Sequence, residues 1–291
     1  MDFDPPACVD LHIHTSASDG TFSPTEILDL ASHIQLGAIA ITDHDTLDGS
    51  RAALTAGIPQ RMGFITGVEI SAERPALFPG KGSCHILGYR VNLDDRNLNQ
   101  TLARLQNARK DRNPRILERL QSFGFDLTMD DIQQAAGPKG QLGRPHFAQV
   151  MLNKGYVPTF SAAFDDYLAT GKPAYVDKYR VECSRAIELI RAAGGIPVLA
   201  HPALLGTPGR RLEDSVVLAL KEMGLIGIEA YYTEHTPAQR EHYLELARKH
   251  GLLVTGGSDF HGKFKPRTKL GRGRGNLQVP IDLYHALNSH A

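Results

Sequence analysis

Seven short runs of aliphatic and β-branched residues recur along the chain: Val9–His14, Ala38–Thr42, Gly63–Glu69, His85–Val91, Ile196–Ala200, Leu225–Ala230 and Leu252–Thr255. Amphipathic stretches separate many of them, and strands that alternate with helices read as a β/α fold. Ser23-Pro24-Thr25-Glu26 is a capping box with proline at the first helical position, and it opens a helix to about Gln35. Thr236-Pro237-Ala238-Gln239 repeats the device before a helix ending near Gly251, and a third helix runs from about Ser184 to Ala193. The rhythm changes from about Leu98 to Thr170. There Leu98, Leu102 and Leu105, then Ile116, Leu117 and Leu120, then Phe147, Val150 and Met151 keep helical spacing with no convincing strand. The expectation is an incomplete α/β barrel with a small all-helical insertion: residues 1–97 as its first part, 98–171 as the insertion and 172–291 as its second part.

Composition narrows the function. The 32 Lys and Arg balance 32 Asp and Glu, so no basic excess exists to displace counterions from long duplex nucleic acid. Met1 to Asp10 carries acidic residues and two prolines where a signal peptide needs a basic start and an apolar run. No apolar stretch approaches the ~20 residues that span a bilayer. Cys8, Cys84 and Cys183 show no C-x-x-C spacing, which points to reduced thiols in a cytoplasmic setting. No obligate protein partner is inferred.

Placement of the histidines is more informative than their number. Strand alternation puts His12 and His14 on one face of the first run and Leu11 and Ile13 on the other. The second run leads into Thr42-Asp43-His44-Asp45, the third ends at Glu69, His85 begins the fourth, the fifth is followed by His201-Pro202, and the last leads into Ser258-Asp259-Phe260-His261. Strand C-termini of a parallel barrel converge on one mouth. Any one of these residues reads as a cap or a surface group, but jointly they read as a metal-binding rim. His33, His242, His250, His285 and His290 fall in helix bodies or the tail, where an ordinary structural role suffices.

These residues resemble the four signature motifs of the PHP (polymerase and histidinol phosphatase) superfamily: His12-x-His14, Thr42-Asp43-His44, His201 in Ala-His-Pro, and Ser258-Asp259-Phe260-His261. The insertion, with Gly143-Arg144-Pro145-His146, is similar to that of stand-alone members acting on nucleotides, among them 3′,5′-nucleoside bisphosphate phosphatases and a 5′→3′ exoribonuclease. The resemblance implies a distorted (β/α)7 barrel with two or three divalent ions, Mn²⁺ first and Zn²⁺ or Fe²⁺ as alternatives. It implies His12, His14 and Asp259 on one metal, Glu69 bridging to a second completed by His85 and His201, and Asp19, His44 and His261 on a third. Some relatives use histidine where Asp19 stands, which makes this site weaker or frees Asp19 to touch substrate. Two metals ~3.5–4 Å apart can hold a hydroxide for attack on phosphorus and neutralise phosphate oxygens. His44 or His261 could serve as acid if the third site is empty.

Guanidinium forks suit phosphate. Arg109, Arg112 and Asn113 are spaced to share one helix face, and Arg144 and His146 open the next helical segment. Part of this set is expected to bind the phosphate that is not hydrolysed. The run from Lys263 to Gly275 is the densest in basic residues; it reads as a solvated loop or as a basic rim that draws anionic substrate inward. Tyr231, Tyr232 and His235 could stack a base or simply pack. The expected activity is removal of the 3′-phosphate from a nucleoside 3′,5′-bisphosphate. Its rivals are exonucleolytic release of nucleoside monophosphates from short RNA, a catalytically silent metal-binding module, and amide or lactone hydrolysis.

Overall fold

The computed structural model describes residues 8–76, 78, 83–137, 140–205 and 212–290. Most of the Met1 to Asp10 reading therefore falls outside the described residues. Nine strands form one sheet: β1 Cys8–Ile13, β2 Ala38–Ile41, β3 Gly63–Glu73, β4 Cys84–Tyr89, β5 Val181–Glu182, β6 Ile196–Leu199, β7 Gly227–Tyr232, β8 Leu253–Gly257 and β9 Val279–Pro280. Its order is β8-β7-β6-β4-β3-β2-β1-β9, with the short β5 paired to β3. The seven expected runs are β1 to β4 and β6 to β8. Two-residue β5 and β9 are too short to leave a periodic signal.

The sheet curls until its two arms meet. Asp259 N–H donates to His12 O at 2.9 Å and His14 N–H to Phe260 O at 3.0 Å, just beyond the ends of β8 and β1. A methyl group at Gly257 would lie 2.3 Å from the His12 backbone nitrogen, so only glycine allows this approach. Leu11 of β1 and Val198 of β6 share one hydrophobic cluster although they belong to opposite arms, which only the inside of a curled sheet permits. The result is a distorted seven-stranded barrel.

It is not all parallel. β4 runs antiparallel to both neighbours, β3 and β6. That reversal explains His85, which stands near the start of its strand and yet faces the mouth reached by the ends of the others.

Helices α1 Pro24–His33 and α2 Asp48–Ala56 cover the first arm, with Ile27, Leu28 and Ala31 packed on Ile39 and Ile41. The capping box at Ser23 forms as expected, with Ser23 Oγ accepting from Glu26 N–H and the Glu26 carboxylate accepting from Ser23 N–H. The helical stretch contains α3 Arg96–Ser122, α4 Met129–Ala136, α5 Arg144–Asn153 and α6 Phe160–Ala163, the last continued by a π-turn to Leu168. α3 is one rod about 40 Å long at 1.5 Å per residue. Leu98, Leu102 and Leu105 pack with the barrel's outer core, whereas Ile116, Leu117 and Leu120 pack with Phe147, Val150 and Met151 of α5. We propose to keep the division 1–97, 98–171 and 172–291, with α3 contributing to both cores. Helices α7 Cys183–Ala192, α8 Asp214–Glu222 and α9 Pro237–His250 cover the second arm, and α10 Ile281–Ser289 brings Leu287 to the interior cluster. Among the described residues no helix is long and apolar enough to cross a membrane.

Candidate active site

Every strand of the barrel except β7 hands a histidine or a carboxylate to the mouth. His12 and His14 meet with their Nε2 atoms 3.2 Å apart. Strict alternation does not produce this, because the β1–β2 register shifts between Asp10 and Ile13. Leu11 consequently packs inside the barrel and Ile13 outside it, under α1, which corrects the expected common face. Glu69 at the mouth end of β3 is the hub. Its Oε1 lies 2.8 Å from both His85 Nδ1 and His201 Nε2. Its Oε2 lies 2.9 Å from His44 Nδ1, 3.2 Å from His14 Nε2 and 3.5 Å from His12 Nε2. Asp259 Oδ1 reaches His14 Nε2 at 3.2 Å and His261 Nδ1 at 3.4 Å. Asp19 Oδ1 reaches His261 Nε2 at 3.5 Å and His14 Nδ1 at 3.7 Å.

All nine residues read as ligands are thus in one place. Their donor atoms fall into overlapping groups: His14, Asp19, His44 and His261; His12, Glu69 and His201; His12, His14 and Asp259; and His44, Glu69 and His85. Asp45, His201 and Asp259 take φ of 56°, 27° and 55° just past their strands. This left-handed region is costly outside glycine, and strain of that kind collects at functional sites.

Charge is divided unevenly among the imidazoles. At His14 burial opposes protonation, but Asp259 and Glu69 outweigh it and raise the pKa to about 9. His12 is raised likewise, against burial, by Glu229 and Glu69. Burial wins at His85, which falls to about 4, and at His261, where Lys265 adds to the same fall to about 4. Against burial, neighbouring imidazoles hold Glu69 and Asp19 well below the usual carboxylate range, and Lys265 and imidazoles do so for Asp259.

This donor set suits divalent cations. Among the described residues, His14 Nδ1, Asp19 Oδ1 and His201 Nδ1 are buried without a hydrogen bond, a costly state for polar atoms. His85 Nδ1 and His201 Nε2 face each other at 3.3 Å, nitrogen to nitrogen as in the His12–His14 pair. Imidazoles mixed with carboxylates, without thiolate, match Mn²⁺, Fe²⁺ or Zn²⁺.

Behind the donors stands a layer that sequence reading missed. Glu229 accepts from His201 N–H at 2.7 Å and lies 2.9 Å from His12 Nδ1, so it turns His12 Nε2 toward the cluster. Its only signal was a carboxylate inside the apolar run Gly227-Ile228-Glu229-Ala230. Asp10 accepts from Ser258 N–H and Oγ–H and from Gly271 N–H. Tyr232 O–H and Lys265 Nζ donate to Asp259 Oδ2 at 2.9 and 2.6 Å, which gives Tyr232 a supporting role. Glu229→Gln is expected to lower metal affinity about 10–100-fold with the fold retained, as measured by chelator competition and circular dichroism.

Beside the cluster runs a wall of cations, Arg109 and Arg112 buried and the others half-buried. Arg109 donates to Asp45 Oδ2 from Nε at 3.0 Å and Nη2 at 2.7 Å, so this expected phosphate ligand is already committed to a carboxylate. Arg112 donates to Asn113 Oδ1, and Asn113 Nδ2 donates to Leu142 O at 3.1 Å. Arg144 donates to Leu168 O at 3.0 Å and stands 5.4 Å over the Tyr175 ring. His146 accepts from Gly143 N–H at 2.9 Å, which caps α5. Two further cations escaped the sequence reading because they lie past the insertion. Lys178 Nζ is 3.7 Å from Asp45 Oδ2, and Arg180 donates to Asp177 Oδ1 at 2.5 Å and Tyr175 Oη at 3.1 Å. Burial and neighbouring guanidiniums push Lys178 down to about 7 and Arg112 to about 9. A methyl group at Gly143 would lie 3.7 Å from Asp19 Oδ2, so the wall adjoins the cluster.

Residues 10–122 match the PHP domain family. The chain is also 31% identical over 255 residues to a 3′,5′-nucleoside bisphosphate phosphatase of Chromobacterium violaceum, covering 88% of this chain and 87% of that protein. The chain belongs to the PHP family. A second PHP relative, a 5′-3′ exoribonuclease of Haemophilus influenzae, is 33% identical over 252 residues, with 87% of this chain and 89% of that protein covered. A solved structure from Bifidobacterium adolescentis, described as a metal-dependent phosphoesterase, superimposes with a TM-score of 0.85 at 33% identity, covering 98% of this chain and 96% of that one. The fold is accordingly the PHP-type distorted (β/α)7 barrel, and the protein is a PHP phosphoesterase.

Proposed function

We propose that this phosphoesterase removes the 3′-phosphate from nucleoside 3′,5′-bisphosphates and releases the nucleoside 5′-monophosphate. The observation that carries this reading is the excess of buried and half-buried cations beside the His–carboxylate cluster. Among the described residues, Arg109, Arg112, Arg144, Lys178 and Arg180 have only Asp45 and Asp177 as direct carboxylate partners. An uncompensated buried cation is costly, and a phosphate that is held but not hydrolysed would supply the missing charge. Two anion-handling places in one cleft suit a substrate with two phosphates.

In this reading His12, His14, Asp259 and Glu69 hold one ion, Glu69, His85 and His201 a second, and Asp19, His44 and His261 a third, with Mn²⁺ the first choice. Divalent ions bound there would activate water and neutralise phosphate oxygens. Water oxygen bonds to phosphorus, the P–O3′ bond breaks, and O3′ leaves with a proton. With the third position empty, His44 or His261, with Asp19 to orient His261, would supply that proton. Arg112, Arg144, Lys178 and Arg180 hold the 5′-phosphate, His146 and Asn113 keep that wall in register, and Arg109 anchors it to Asp45. The free thiols of Cys8, Cys84 and Cys183 suit a reduced, cytoplasmic protein.

The similarity to the H. influenzae enzyme supports a second reading, in which the same P–O3′ bond is broken at the 5′ end of a short RNA. Phosphate release from bisphosphates, run beside a gel of 5′-phosphorylated oligoribonucleotides, separates the two. Arg144→Ala is expected to raise KM for the bisphosphate roughly 10–100-fold, the worth of one charge-assisted hydrogen bond, with kcat changed little. An unaltered KM would remove Arg144 from the subsite.

A further inference from the structure

The cation wall and the His–carboxylate cluster share one carboxylate. Asp45 follows His44 in the chain, is fully buried, and has a φ of 56° that only a well-determined surrounding retains. On the cluster side its backbone is pinned to Glu69. Asp45 N–H donates to Glu69 O at 3.0 Å, Glu69 N–H donates to Asp43 O at 3.1 Å, and His44 Nδ1 lies 2.9 Å from Glu69 Oε2. On the wall side α3 grips the same residue twice. Gln106 Nε2 donates to Asp45 O at 2.9 Å, and Arg109 Nη2 donates to Asp45 Oδ2 at 2.7 Å and to Ser71 Oγ at 3.0 Å. Arg112 and Asn113 follow on the next turn of α3, so one helix carries both part of the wall and the grip on Asp45. Against burial, Arg109, Lys178 and then His44 hold the Asp45 carboxyl low. A single buried charge therefore feels the wall and an imidazole of the cluster together.

We propose that Asp45 is a positioning residue that couples the two places, so that a phosphate held in the wall and divalent cations held around His44 and Glu69 tighten each other's binding. The sign follows from charge. A phosphate beside Arg109 and Lys178 takes up part of the positive charge that Asp45 otherwise neutralises. The Asp45 carboxylate then bears more strongly on His44 and favours a cation there. In the other direction, a cation at His44 draws on the Asp45 charge and leaves the wall more positive for an anion. Linkage makes the two factors equal, within the roughly 5–150-fold usual for coupled sites. The inference rests on the reading of the wall as the site of the unhydrolysed phosphate and deepens it: the second phosphate of a substrate helps to load the metal site as well as to hold the nucleotide.

The test measures the Mn²⁺ affinity of the full chain from the paramagnetic resonance signal of the free ion, with and without saturating adenosine 5′-monophosphate. Binding of that nucleotide to the metal-free chain is followed separately by calorimetry. In the wild type the nucleotide is expected to tighten Mn²⁺ binding roughly tenfold or more. In Asp45→Asn that factor should fall below about twofold, while the metal-free variant binds the nucleotide at least as tightly as the wild type. Loss of structure would weaken both. Ser71→Ala removes a donor to Asp45 but no charge, and should lower the factor about threefold, the worth of one neutral hydrogen bond; it decides the matter if Asp45→Asn does not fold. A factor equal in wild type and variants overturns the coupling and leaves the phosphate site standing. A metal-free wild type that binds no nucleotide overturns the wall as a phosphate site, and the coupling with it.

Discussion

Replacing Glu69 by glutamine should reduce phosphate release by roughly 10³-fold or more, because it removes a carboxylate that touches histidines of every donor set. Glu69 is 1% exposed and lies within 3.5 Å of five imidazoles. Glutamine keeps the shape but supplies one neutral carbonyl oxygen where the carboxylate has two charged ones. Metal content of the purified variant should fall together with activity, as read by elemental analysis and a phosphate assay. Full metal content with full activity would show that the ions sit elsewhere.

The second large effect is on stability. Asp45 is fully buried and accepts from Arg109 Nε and Nη2, Ser71 N–H and Ser71 Oγ, with Lys178 nearby. Asp45→Asn leaves two buried cations without their counter-charge, at a cost of about 3–5 kcal/mol. That corresponds to a melting temperature lower by roughly 10 °C for a domain of this size. Against burial, Arg109 and Lys178 hold the Asp45 carboxyl below the usual range. Its contribution is therefore complete at neutral pH and is lost as pH falls through that depressed value. The difference in melting temperature between wild type and variant should narrow in acid as Asp45 takes up its proton, and above about pH 7 as Lys178 loses its own. A difference under 2 °C near neutral pH would show that the cations find other partners.

The strands and the side chains of the His–carboxylate cluster were legible because both leave local signals. A run such as Ala38–Ile41 shows its apolar content directly, and His12-x-His14 or Ser258-Asp259-Phe260-His261 carries its donors within four residues. His85 was legible as a residue but not as a direction, since strand polarity depends on neighbours far along the chain. Arg109 shows the opposite limit. A guanidinium on a helix face announces an anion, yet whether that anion is substrate or Asp45, 64 residues away, is set by packing. Glu229 and Lys178 act across longer separations still and left almost nothing periodic to read.

By itself the sequence determined the β/α rhythm, the helix starts at Ser23 and Thr236, and which side chains are candidates for the chemistry, because propensity, capping and residue type act over a few positions. Tertiary structure alone decided that β4 is reversed, that the barrel closes where Gly257 lets His12 approach, and that the cations of the wall outnumber the carboxylates paired with them. Those outcomes depend on distances between residues tens to hundreds of positions apart, and only the folded chain fixes such distances.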